Sequence, residues 1–75
     1  MSRKASIEIG RRAAEECRRL FLGKSVYSIG CIVGRNRKVV EYWQNGGAPG
    51  AMFLARLHYL GADVIYILTG EKQHD

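Results

Sequence analysis

Seventy-five residues allow a single domain close to the lower size limit for independent folding, since a chain this short buries only about 60% of its unfolded surface. Two cysteines without CxxC or Cys/His spacing argue against a zinc site or a disulfide scaffold, and no apolar run approaches the roughly 20 residues of a membrane span. The net charge of +5 is lopsided: residues 1–38 hold ten of the twelve Lys/Arg against three acids (+7), and residues 39–75 hold two against four (−2).

Residues 1–6 are polar and read as a flexible basic tail, and residues 71–75 as a polar C-terminal tail. Between them, 7–70 reads as the folded domain. From Ile7 to Leu20, Ile9, Ala13, Cys17 and Leu20 recur at helical spacing, with Arg11, Arg12, Glu15, Glu16, Arg18 and Arg19 on the other sides, which predicts an amphipathic helix. Ser25 can cap a second helix, Val26 to Val33, ended by Gly34. The β-branched, partly alternating stretch SVYSIGCIV fits a strand equally well on pattern alone. Asn36 can cap a third segment, Arg37 to Gln44, which stops at Asn45-Gly46-Gly47. Pro49 stands at the first turn of a fourth helix with Phe53, Leu57 and Leu60 on one face, closed by Gly61. Asp63 can cap a last short segment, VIYILTG, whose five consecutive apolar residues also fit a buried strand.

The stretch from Val26 to Gly46 carries the functional argument. Two helices meeting at a steep angle through a three- or four-residue turn need a small residue at the crossing, a glycine to turn, and apolar residues facing inward on both. Gly30, Gly34 and the set Ile29, Val33, Val40 and Trp43 meet those needs. On a wheel of about 100° per residue starting at Arg37, Val39, Val40 and Trp43 fall between about 200° and 300°, while Arg37, Lys38, Glu41, Tyr42 and Asn45 fall between about 0° and 140°. One face can lock onto the domain while the other presents cations, an amide and a phenol, groups able to bond base edges and phosphates. Cations at a helix N-terminus oppose its dipole, so Arg37 and Lys38 are poor helix stabilisers and would be relieved by a polyanion. The one-sided basic field suits the same partner. An ordinary solvated basic face is the plainer account of both features.

In order and spacing these residues resemble the phage repressor and Cro helix-turn-helix family. Its turn and third helix correspond to Gly34-Arg35-Asn36-Arg37-Lys38-Val39-Val40-Glu41-Tyr42-Trp43-Gln44-Asn45-Gly46. Its downstream proline corresponds to Pro49, and its ending to Asp63-Val64-Ile65-Tyr66-Ile67-Leu68-Thr69-Gly70. The resemblance implies an all-α, five-helix fold of the lambda-repressor-like type, which decides the two ambiguous stretches in favour of helix. It further implies a transcriptional regulator that binds double-stranded operator DNA as a homodimer and acts by promoter occlusion. Base contacts would fall on Arg37, Lys38, Glu41 and Tyr42, and phosphate contacts on Ser25, Val26, Tyr27, Arg35, Asn36 and Asn45. The dimer interface would use Ile65, Tyr66 and Ile67; a domain this small cannot bury all of VIYIL, although packing onto its own first helix is the other outlet. Val26 stands where the family often has Gln, leaving a backbone N–H for a phosphate. Gln44 replaces the usual Glu, so a pair with Arg19 between the first and third helices cannot be ionic.

A protein-interaction module built on the same bundle, such as an antitoxin or a polymerase-binding partner, is the alternative function. His58 and His74 lack an acid at catalytic or metal spacing, so no enzyme, metal, cofactor or small-molecule ligand is expected. Cys17 and Cys31 fit packing better than redox chemistry, and the glycines at 46, 47 and 50 lack the ending of a phosphate-binding loop. The cysteine usage suits a reducing, cytoplasmic location, and the resemblance implies a bacterial or phage-infected bacterial cell.

Overall fold

Helix begins earlier than the amphipathic pattern does. In the computed structural model, which describes residues 3–72, α1 spans Arg3–Leu20. Arg3, Lys4 and Ala5 are strong helix formers with no breaker among them, so the expected tail at residues 3–6 is instead the opening turn of this helix. Positions 1–2 and 73–75, with His74, lie outside the described residues.

Four shorter helices follow: α2 (Val26–Gly34), α3 (Val39–Gln44), α4 (Ala51–Tyr59) and α5 (Val64–Thr69), with no strand among the described residues. Both ambiguous stretches are therefore helical. In α2 the Ser25 hydroxyl oxygen accepts the Ser28 N–H at 3.1 Å, and Ile29 and Val33, one helical turn apart, are both fully buried. In α5 the Asp63 carboxylate accepts the Tyr66 N–H at 2.9 Å and Ile67 is fully buried, while Ile65 and Leu68 stay exposed. Capping and a buried stripe outweigh β-branched propensity in both places. The partly exposed Ile32, Ile65 and Leu68 are what the helical period leaves outside.

α1 packs along α3 and α5, and α2 packs on α3 and α4. The centre is filled by Trp43, Ile29, Leu57, Ile67, Val33, Val40 and Cys17. Phe53 and Leu60 are partly buried against it and Leu57 completely. The Trp43 and Phe53 rings meet edge to face, with centroids 5.3 Å apart and planes at 87°, a geometry that aligns a ring edge with a ring face. Pro49 is buried two residues before α4, not within its first turn. Gly61, at φ 102°, lets the chain leave α4 through the left-handed region.

Arginines close two helix ends. Arg56 Nη1 donates to the Val33 carbonyl at 2.8 Å, and Arg12 Nε donates to the Ile67 carbonyl at 2.9 Å. Each satisfies a carbonyl with no partner inside its own helix, at the end where a cation is favoured by the dipole.

Candidate functional site

α2 and α3 are joined by the turn at residues 35–38. Gly30 sits where α2 touches that turn: a Cβ there would collide with the Asn36 carbonyl oxygen and lie 3.0 Å from the Arg37 carbonyl carbon. A small residue is needed at this crossing, as the spacing predicts. Gly34 has a different job from the one expected. It is the last residue of α2 and its open side is filled by the Phe53 ring. The reversal belongs to Arg35, which takes a left-handed conformation at φ 55° and ψ 25°, costing roughly 1–2 kcal/mol for a side chain with a Cβ.

Asn36 organises the turn. Its Oδ1 accepts the Lys38 N–H at 3.0 Å, and its carbonyl accepts the Val39 N–H at 3.1 Å. Arg37 and Lys38 thus form a tight turn stacked on the helix, and α3 proper begins at Val39 rather than at Arg37. The two faces separate as the wheel predicts. Val39, Val40 and Trp43 are buried, Arg37, Lys38, Tyr42 and Asn45 are exposed, and Glu41 is half-buried.

Two of the outward side chains rest on partners inside the chain. The Arg37 guanidinium lies 5.0 Å from the centroid of the Tyr27 ring, so the cation that a helix dipole disfavours is held by an aromatic quadrupole. Tyr42, although 62% exposed, lies along Gly47, where a Cβ would collide with its ring. At the start of α2, the Ser25 hydroxyl is committed to capping and to a 3.2 Å bond to Ser28 Oγ, and the Val26 side chain is partly buried on the core. The first backbone N–H groups of α2 are what remains there for an anion. Ser25 and Tyr27 are exposed at the start of α2 and Arg35, Asn36, Arg37 and Lys38 on the turn after its end, with Arg37 reaching the Tyr27 ring between them, and Tyr42 and Asn45 are exposed farther along α3.

The predicted dimer residues are split by the fold. Ile67 points into the core and is fully buried, because α5 docks on α1. Tyr66 is half-buried, its hydroxyl donating to Glu15 at 2.5 Å, with the Lys72 ammonium 5.3 Å from its ring centroid. The hydrogen bond to Glu15 raises the Tyr66 pKa. Of the predicted set only Ile65 faces outward, joined by Leu68.

Arg19 does not reach Gln44. It forms a two-pronged pair with Glu16 on its own helix, at 2.8 and 2.9 Å. That hydrogen bonding holds the buried Glu16 carboxyl below its usual range. Glu16 Oε1 also accepts the Asp63 N–H at 2.7 Å, tying α1 to the start of α5. Neither this link nor the Arg12 cap is visible in the spacing of the sequence, since each partner lies about fifty residues away. Gln44 lies instead in a shallow groove of about 410 Å³ with Arg11, Ala14, Glu15 and Arg18.

Burial pushes the Cys17 thiol up to about 12, so it stays protonated and acts as core packing. His58 is exposed on α4, and no cluster of three or more His, Cys, Asp or Glu among the described residues could hold a metal ion. No helix among them is long and apolar enough to cross a membrane. Comparisons with family models, with curated proteins and with solved structures gave no match.

Proposed function

We propose that this chain is a sequence-specific double-stranded DNA-binding regulator of the phage repressor and Cro type, with a lambda-repressor-like helix-turn-helix formed by α2 and α3. The observation that carries this reading is the division of α3. Val39, Val40 and Trp43 lock it to the core, while Arg37, Lys38 and Tyr42 are exposed, Arg37 resting on Tyr27 near the start of α2.

In a major groove, Arg37 and Lys38 suit the paired acceptors of a guanine edge, and Tyr42 offers a ring edge and a hydroxyl to the next base pairs. The N–H groups at the start of α2 and the Asn45 side chain then take backbone phosphates and set the register. A dimer would bring two such helices to successive turns on one face of the duplex, about 34–36 Å apart. Ile65 and Leu68 are the exposed apolar residues of α5 that a second copy would cover. Occlusion of a promoter by such a dimer is sufficient for regulation.

Selection of bound duplexes from a random pool, with sizing of the free protein, tests this directly. A palindromic winner and a dimer support it. Lys38→Ala should alter the preferred sequence with a loss of about 1–3 kcal/mol at its own position, whereas Asn45→Ala should weaken all duplexes alike. Equal loss on every sequence from Lys38→Ala would count against base reading. A second reading, a protein-interaction module, is favoured by Met52 and Tyr59, which are 79% and 89% exposed on α4. Salt separates the two, because phosphate contacts make affinity fall steeply with ionic strength and an apolar interface does not.

A further inference from the structure

We propose that Gly47 is a positioning residue for Tyr42, fixing the orientation in which the phenol meets a base pair; this rests on the DNA-binding reading above.

The chain after α3 folds back onto Tyr42 itself. Gly46, at φ 112°, makes the reversal, and the Gly47 N–H then donates to the Tyr42 carbonyl at 2.9 Å. This is the bond of a glycine-terminated helix in which the second residue beyond the end returns to the last turn. In that motif the same two residues commonly make an apolar side-chain contact. Here one of them has no side chain, and the other's ring occupies the space: a Cβ on Gly47 would collide with Tyr42 Cε2 and Cζ and lie 2.5 Å from Cδ2.

Gly47 cannot recede from the ring. Its carbonyl oxygen stands where a Cβ on Gly10 would be, and that Cβ would also lie 2.8 Å from the Trp43 carbonyl oxygen. The 45–47 loop is therefore trapped between the backbone of α1 and the Tyr42 ring. Gly47 is buried, whereas Tyr42 is 62% exposed. One side of the ring rests on a rigid floor and the rest is open to a ligand.

The two glycines differ in what a methyl group would displace. At Gly10 it meets backbone from α3 and its loop, which can yield only if α1 and α3 separate. At Gly47 it meets the ring of an exposed side chain, which can be displaced into solvent without moving backbone, and Gly47 is not among the left-handed glycines. Gly47→Ala should therefore keep the fold and release the ring. A side chain that is already held loses less freedom on binding, which is worth about threefold to tenfold in affinity at the position it reads.

The test uses the full chain. In the free protein, NMR should find Tyr42 in one χ1 rotamer, with the Gly47 α-protons shifted by its ring current. Gly47→Ala should average the rotamers while leaving the melting temperature nearly unchanged. In duplex selection, Gly47→Ala should weaken discrimination at one base-pair position by about threefold to tenfold and spare the others. In a Tyr42→Ala background the same change should do nothing more.

A Gly47→Ala protein that keeps both the single rotamer and the full discrimination overturns the proposal. So does one that unfolds, or one whose effect persists without Tyr42, because Gly47 would then act on the fold. A locked ring in a wild-type protein that selects no duplex sequence sinks the DNA-binding reading and the proposal with it. The rotamer measurement, made without DNA, tells that failure apart from the others.

Discussion

α3 and α5 are built alike and used differently. Both are six residues long, both follow an Asn or Asp whose side chain accepts a backbone N–H, and both run out through a glycine with positive φ. Around α5, α1 commits its polar side chains: Glu16 takes the Asp63 N–H, Arg12 takes the Ile67 carbonyl and Glu15 takes the Tyr66 hydroxyl. Around α3 the hold is apolar, through Val39, Val40 and Trp43, and the polar side chains lie outward on a ring or a glycine. A helix tied on its polar groups is finished by its own domain. A helix tied on its apolar stripe alone has its polar chemistry left over for something else.

Five substitutions at four positions can break or sharpen that contrast. Trp43→Ala removes the largest fully buried side chain and should cost about 3–5 kcal/mol, enough to unfold much of so small a domain, read by circular dichroism melts. Glu16→Ala should come next at about 1.5–3 kcal/mol in urea unfolding, because it strands the Asp63 N–H and the Arg19 pair.

The pH dependence has a definite sign. The Glu16 pKa is lowered in the fold, so its contribution is complete above the ordinary glutamate value and fades as pH falls through the folded one. Glu16→Gln should therefore lower stability at neutral pH and above, up to about pH 9, and flatten the acid limb of a stability–pH curve, the two proteins converging at low pH. A limb as steep as the wild type's would show that another carboxylate controls it.

Tyr66→Phe deletes only the partly exposed bond to Glu15 and should cost about 0.5–1 kcal/mol by the same unfolding measurement. Lys38→Ala should change stability by less than about 0.5 kcal/mol, however strongly it affects a ligand. If it destabilises as much as Glu16→Ala, the contrast between the two helices is wrong.

How much of this was legible depends on the range over which each residue acts. Ser25 and Asp63 cap helices that begin with the next residue, and the inward set Ile29, Val33, Val40 and Trp43 repeats at helical spacing. Both features follow from local geometry, and both hold. Gly34 was misread because a glycine near a helix end has two uses, a left-handed turn or room for a neighbour. The neighbour, Phe53, is nineteen residues away. Ile67 was misplaced for a similar reason, since five successive apolar residues carry no phase until α1 chooses which one faces in. Gly47 read as part of a loop because nothing local says that the Tyr42 ring lies on it.

The sequence by itself determined where α2 and α5 begin and which side of α3 is charged, since capping and amphipathic period act within a few residues along the chain. Only the tertiary structure decided which polar groups are consumed: Arg12, Glu15 and Glu16 by α5, Arg37 by Tyr27, and the orientation of Tyr42 by two glycines. Those choices depend on which surfaces meet when α1 lies across α3 and α5, a matter of three-dimensional packing to which local propensity is blind.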